Sequence, residues 1–178
     1  MKKARIYQNL KEFQPELDFL RSWNKKIVMT SGYMAPLHIG HCRLLEHSTN
    51  LAHEIGGSLV LVLNSDQMLM NKKGFIFQNQ EERAEICAHL RGVNSVIIFD
   101  DETPYVSKAI QFLKPAIFTK GGDRQQNSTP SPELNLCAEI GCKVIFGVGG
   151  FDKPQSSSNL IQKVKEFEEK QKIITNKE

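Results

Sequence analysis

The chain has 178 residues, of which 40% are apolar and 24% charged, with a formal net charge of +3. That length suits one domain with a sizeable core rather than two, no apolar run reaches the length of a membrane span, and so small a charge does not mark a nucleic-acid binder. The four cysteines, Cys42, Cys87, Cys137 and Cys142, form no Cys-x-x-Cys pair and have no histidine at zinc-finger spacing, so reduced thiols are expected. The basic start is followed by no apolar core, which makes a cytoplasmic location the expectation.

Residues 1–26 carry Phe13, Leu17, Phe19, Leu20 and Trp23 among many charges, a spacing that predicts one amphipathic helix added ahead of the main domain. Ile27 to Thr30 reads as the first buried strand, and His38 to Ile55 as a helix closed by Gly56-Gly57. Ser58 to Leu63 is a continuous apolar run, as expected of a parallel strand covered on both faces. Gln67 to Phe77 shows no clear period and reads as a loop. Asn79-Gln80-Glu81-Glu82 opens a helix through Leu90, and Ser95 to Phe99 is the next strand. Asp100 to Pro104 is expected to cap a helix reaching Leu113, followed by a strand at Pro115 to Thr119. A Pro/Ser/Asn loop, a helix from Pro132 to Ile140, a fifth strand at Lys143 to Phe146 and a helix from Ser156 to about Lys170 complete the chain, with 171–178 as a polar tail.

Alternating apolar strands and helices over 27–170 predict an α/β domain with a three-layer doubly wound parallel sheet of about five strands. Ligands of such sheets bind at the carboxyl ends of the strands, where strand order reverses. The polar clusters at Gly32 to His41, Asn64 to Asp66, Lys120 to Arg124 and Gly149 to Ser158 all follow predicted strands and so can share one edge. In the first cluster, His38 and His41 flank Gly40 at a spacing that puts both imidazoles on one side of a helix start, if Pro36 or Leu37 opens that helix. The N–H groups and dipole of such a start favour an anion, and a phosphate chain is the natural candidate.

The tetrad His38-Ile39-Gly40-His41 after Thr30-Ser31-Gly32 resembles the His-x-Gly-His signature of the nucleotidyltransferase superfamily that includes the small cytidylyltransferases. Lys26 to Val164 is similar to the adenylyltransferase domain of bacterial bifunctional heptose-phosphate enzymes. The likeness runs through Asn64-Ser65-Asp66, Lys73-Gly74, Glu82-Arg83, Asp101-Glu102-Thr103-Pro104, Lys120-Gly121-Gly122-Asp123 and Ser156 to Ile161. Glycerol-phosphate cytidylyltransferases share this skeleton, and Arg91 to Val96 resembles a relaxed form of their Arg-Tyr-Val-Asp-Glu-Val block.

The resemblance implies a Rossmann-like nucleotidyltransferase fold, a homodimer, and attack by an acceptor phosphate on the α-phosphate of ATP or CTP with release of pyrophosphate. It implies a phosphorylated sugar, polyol or alcohol as acceptor and no nucleic-acid or membrane partner. His38, His41 and Lys73 are then the expected catalytic residues, with Lys72 beside the last. Ser31, Gly32, Tyr33, Gly40, Lys120, Gly122, Asp123, Ser156, Ser157 and Ser158 are expected at the nucleotide, and Asp66 and Arg83 at the acceptor. Magnesium is expected to arrive on the triphosphate, with no metal held by protein ligands alone. His47, His53 and His89 read as structural or surface residues. Competing readings are a helix-capping histidine pair, a serine acting only as a cap, a turn role for Asp123, and loop bracing by Arg83.

One departure stands inside the motif. Family members commonly carry Phe-Asp where this chain has Met34-Ala35, so the carboxylate ahead of the histidines is absent unless Asp66 compensates. Other functions in view are a coenzyme adenylyltransferase acting on nicotinamide mononucleotide, pantetheine phosphate or flavin mononucleotide, and a catalytically weakened nucleotide-binding regulator.

Overall fold

The computed structural model describes residues 3–122, 132–150 and 156–175. In chain order these form β1 (Arg5–Tyr7), α1 (Leu10–Ser22), β2 (Ile27–Gly32), α2 (Ile39–Glu54), β3 (Ser58–Asn64), α3 (Asp66–Lys73) and α4 (Gln80–Ala88). There follow β4 (Ser95–Phe99), α5 (Ser107–Leu113), β5 (Ile117–Gly121), α6 (Pro132–Glu139), β6 (Lys143–Val148) and α7 (Ser157–Thr175). Among the described residues the strands make one parallel sheet of six in the order β1-β4-β3-β2-β5-β6.

The period of two along each strand sends alternate side chains to the two faces. Val28, Leu59, Leu61, Leu63, Val96 and Ile98 pack under α2 and α4, meeting Leu45, Ala52, Ala84 and Ala88. Ile27, Met29, Val60, Val62, Ile97 and Phe118 face the other way, against Phe13, Leu17 and Leu20 of α1, Ala109 and Ile110 of α5, and Cys137 of α6. Both faces of the central strands are thus buried, which is why β3 and β4 read as unbroken apolar runs. Full burial of each such side chain stabilises the fold by about 1.5–3 kcal/mol before conformational entropy is counted.

Four sequence expectations change. The segment ahead of the main domain is not one helix only: Arg5–Tyr7 forms a sixth strand, in register with Ser95 to Ile97 of β4, and Asn9 caps α1 by accepting from Glu12 N–H. Three residues are too few to show a period, so that strand exists only through its partner. The supposed loop at Gln67 to Phe77 begins as helix α3, capped by Ser65 Oγ on Met68 N–H and closed by Gly74 in the left-handed region at φ 76°. Its cap signals were present, but its polar composition hid the period. Asp100 to Pro104 does not cap α5, which begins at Ser107 with no side-chain cap. Asp101 instead accepts from Thr103 N–H and its hydroxyl and pairs with Lys108 at 3.0 Å. Finally, α7 extends to Thr175, past the expected end near Lys170.

Strand order reverses at β2, which lies between β3 and β5, with Val28 opposite Ile117 and Thr30 opposite Thr119. The carboxyl ends of these strands therefore splay and leave a crevice.

Candidate active site

A cleft of about 280 Å³ opens at this reversal point. Its floor comes from the end of β2 and the start of α2: Ser31, Gly32, Tyr33, Met34, Ala35, His38, Gly40 and His41. The helix opens at Ile39, later than the sequence suggested, so His38 is its N-cap and His41 its third residue. His38 Nδ1 accepts from Gly40 N–H at 3.1 Å, and His41 Nδ1 accepts from His38 N–H at 3.3 Å. The histidines thus do cap the helix, as the alternative reading held. Because each Nδ1 is an acceptor, the proton of each neutral ring sits on Nε2. The rings stack with centroids 3.8 Å apart. Burial, then the neighbouring His38 and Lys73, push the His41 pKa down to about 3, so His41 is a neutral donor at ordinary pH.

The loop between β2 and α2 is held from two sides. Lys73 Nζ, at the end of α3, donates to Ala35 O at 2.9 Å, and Ser157 Oγ, at the start of α7, donates to Pro36 O at 3.0 Å. Burial pushes the Lys73 pKa down. Met34 is buried and takes φ 51°, a left-handed conformation unusual for a bulky side chain. Both Lys73 and Ser157 line the cleft, as do Lys120 at the end of β5 and Gly122 just after it.

On the β6 side, Gly149 is at φ +92°, and a Cβ there would lie 2.8 Å from Leu44 N and 3.0 Å from Arg43 C. Only glycine lets this loop pass so close to the first turns of α2 while holding that backbone angle.

Several expected site residues lie elsewhere. Arg83 does not line the cleft: it is 1% exposed and donates to Gln78 O, Tyr33 O and Asn64 O and to Asp66 Oδ1, the last at 2.7 Å. Its guanidinium is consumed in bracing the loops after β2 and β3, the alternative the sequence left open. Asp66 is spent on the same pair and so is not placed to replace the missing acid at Ala35. Ser156 caps α7 by accepting from Asn159 N–H, and Ser158 is exposed; neither lines the cleft. Asp123 lies outside the described residues. His47, His53 and His89 are exposed.

Asn64, named in the sequence only as part of a polar strand-end cluster, lines the cleft, and so do Leu44 and Glu133, which sequence reasoning missed. Asn64 ends an apolar strand, a signal that was visible. Glu133 follows the proline that opens α6 and belongs to no motif, so nothing local marks it. Its Oε2 meets Lys120 Nζ at 2.5 Å and its Oε1 accepts from Val106 N–H at 2.9 Å.

Among the described residues no cluster of three His, Cys, Asp or Glu groups is placed to hold a metal ion. Glu133, the one carboxylate lining the cleft among them, is taken by Lys120. The described residues therefore do not form a magnesium cage.

The arrangement offers helix N–H groups, two imidazoles and two ammonium groups around one crevice, a set suited to phosphate oxygens. Residues 29–164 match the Cytidylyltransferase-like family. The Bifunctional protein HldE of Aliarcobacter butzleri is 35% identical over 151 residues, covering 84% of this chain and 29% of the relative. The HldE of Geobacter metallireducens is 36% identical over 148 residues, covering 79% and 27%. The chain thus spans less than a third of the length of these curated relatives. In the crystal structure of the lipopolysaccharide core biosynthesis protein from Thermoplasma volcanium, the similarity is 26% in sequence with a TM-score of 0.55, over 71% of this chain and 98% of that one. With the family match covering most of the chain and the His-x-Gly-His tetrad seated at the strand reversal, this chain belongs to the cytidylyltransferase-like family of nucleotidyltransferases.

Proposed function

We propose that this chain transfers adenylate from ATP to a phosphorylated sugar of the heptose class, releasing pyrophosphate. Support for the acceptor class comes from the HldE relatives and from the heptose-enzyme blocks in the sequence. The observation that carries the chemistry is the stacked histidine pair at the start of α2, capped through Nδ1 and carrying its protons on Nε2.

In the transfer, an oxygen of the acceptor phosphate attacks the α-phosphorus, and the bond from that phosphorus to the bridging oxygen of pyrophosphate breaks. No protein nucleophile is needed. The chain aligns two anions that repel each other and stabilises charge growing on the α-phosphate and leaving group. His38 and His41 donate to phosphate oxygens beside the α2 dipole. Lys73 and Ser157 exchange their carbonyl partners for the β- and γ-phosphates, Lys120 supplies a second cation, and Ser31 to Tyr33 and Gly122 shape the nucleotide pocket. Magnesium belongs to the substrate here, carried on the triphosphate's own oxygens. The working form is a cytoplasmic homodimer.

Pyrophosphate release, measured for the four nucleoside triphosphates against a panel of phosphorylated sugars and polyols, tests this reading. Turnover with ATP and a heptose phosphate is expected. Turnover only with CTP and a polyol phosphate, or only with a coenzyme precursor, overturns the substrate assignment. Ala35, which is buried and offers no carboxylate, favours a second reading as a nucleotide-binding regulator. Triphosphate binding with no turnover on any acceptor selects it.

A further inference from the structure

The cleft lacks the expected acid at Ala35, and Asp66 is tied to Arg83, yet a buried carboxylate faces the site from α6. Glu133 is 7% exposed and ties three elements together: Lys120 at the end of β5, Val106 at the start of α5, and its own helix. The Lys120 ammonium also lies 4.3 Å from the centroid of the Phe118 ring. A buried ion pair is a poor device for stability alone, because desolvation offsets much of its attraction. It is a good device for holding a flexible cation in one place, since the rotamer entropy of a lysine side chain must otherwise be lost on binding.

We infer that Glu133 is a positioning residue, which acts through Lys120 by holding its ammonium in the cleft for a phosphate group of the bound triphosphate. This rests on the nucleotidyl-transfer reading of the site. Sequence offered no hint of it, because Glu133 is distant from every recognised block and meets Lys120 only through the packing of α6 on β5.

The test is a double-mutant cycle of Glu133→Gln, Lys120→Met and the double variant in the full chain. Dissociation constants for ATP and for CTP are measured by calorimetry without acceptor, with thermal midpoints alongside. Glu133→Gln keeps the volume and an acceptor for Val106 N–H while removing the charge that holds Lys120. Each single variant is expected to weaken triphosphate binding about tenfold, and the double variant no more than Lys120→Met does, because the carboxylate works through the lysine. Losses that multiply in the double variant overturn the inference and make Glu133 an independent structural group. Tighter binding by Glu133→Gln also overturns it, since the carboxylate would then be masking Lys120. A wild-type chain that binds neither nucleotide refutes the underlying reading of the site instead. If Glu133→Gln unfolds, Glu133→Asp provides the same comparison with the charge drawn back by one methylene, and binding equal to wild type sinks the positioning role.

Discussion

His38 and His41 lie ring on ring, their planes inclined by 26°, and each commits Nδ1 to a backbone N–H at the start of α2. One nitrogen of each ring builds the helix end, and the other is the one proposed to act on phosphate in the cleft. Asparagine separates the two jobs, because its side-chain oxygen can stand where Nδ1 stood but nothing replaces Nε2–H. His38→Asn and His41→Asn should therefore retain stability to within about 1 kcal/mol while kcat falls about 10²–10³-fold. The alanine variants should lose both. Pyrophosphate release and thermal unfolding check this; wild-type turnover by His41→Asn refutes the assignment.

The low pKa of His41, about 3 against an ordinary 6.5, links stability to pH. In the unfolded chain this imidazole takes up a proton as pH falls through 6.5, while in the fold it stays neutral until about 3. Its contribution to stability is therefore full above pH 6.5 and is lost progressively between 6.5 and 3, at no more than about 1.4 kcal/mol per pH unit. Urea unfolding from pH 7 to pH 4 should show a steeper loss for wild type than for His41→Asn. Equal slopes would mean that His41 is not held neutral.

Arg83 serves the architecture that presents the site. Arg83→Met strands Tyr33 O, Asn64 O and Gln78 O and leaves Asp66 without its cation. The expected cost is about 3–5 kcal/mol, a fall of roughly 10 °C in Tm for a chain of this size. Scanning calorimetry measures it. The fraction that stays folded should keep a KM for acceptor near that of wild type, whereas a KM raised tenfold with no change in Tm would return Arg83 to the acceptor.

Lys73 and Ser157 grip the carbonyls of neighbouring residues, Ala35 and Pro36. If both release those carbonyls for phosphates, Lys73→Met and Ser157→Ala should each raise the KM for triphosphate about tenfold or lower kcat by a similar factor. The KM for acceptor should stay within about twofold. Steady-state kinetics with each substrate varied in turn separates these outcomes.

The periodic layout of the chain was legible without coordinates. Leu59 to Leu63 had to be a strand buried on both faces, Asn79 to Glu82 opened a helix that the structure starts at Gln80 behind the Asn79 cap, and the three-residue separation of His38 and His41 put them on one side of a helix start. These are local facts, set by the pleat of a strand, the turn of a helix and the needs of its first N–H groups. Tertiary structure decided what local pattern cannot carry. Arg5 to Tyr7 become a strand only because β4 offers an edge, Arg83 braces two loops because Tyr33 O and Asn64 O converge on it, and Ser157 reaches Pro36 across 121 residues. Glu133 enters the cleft for the same reason: the strand order brings α6 against β5, and a carboxylate that reads as a surface residue in sequence becomes the buried partner of Lys120.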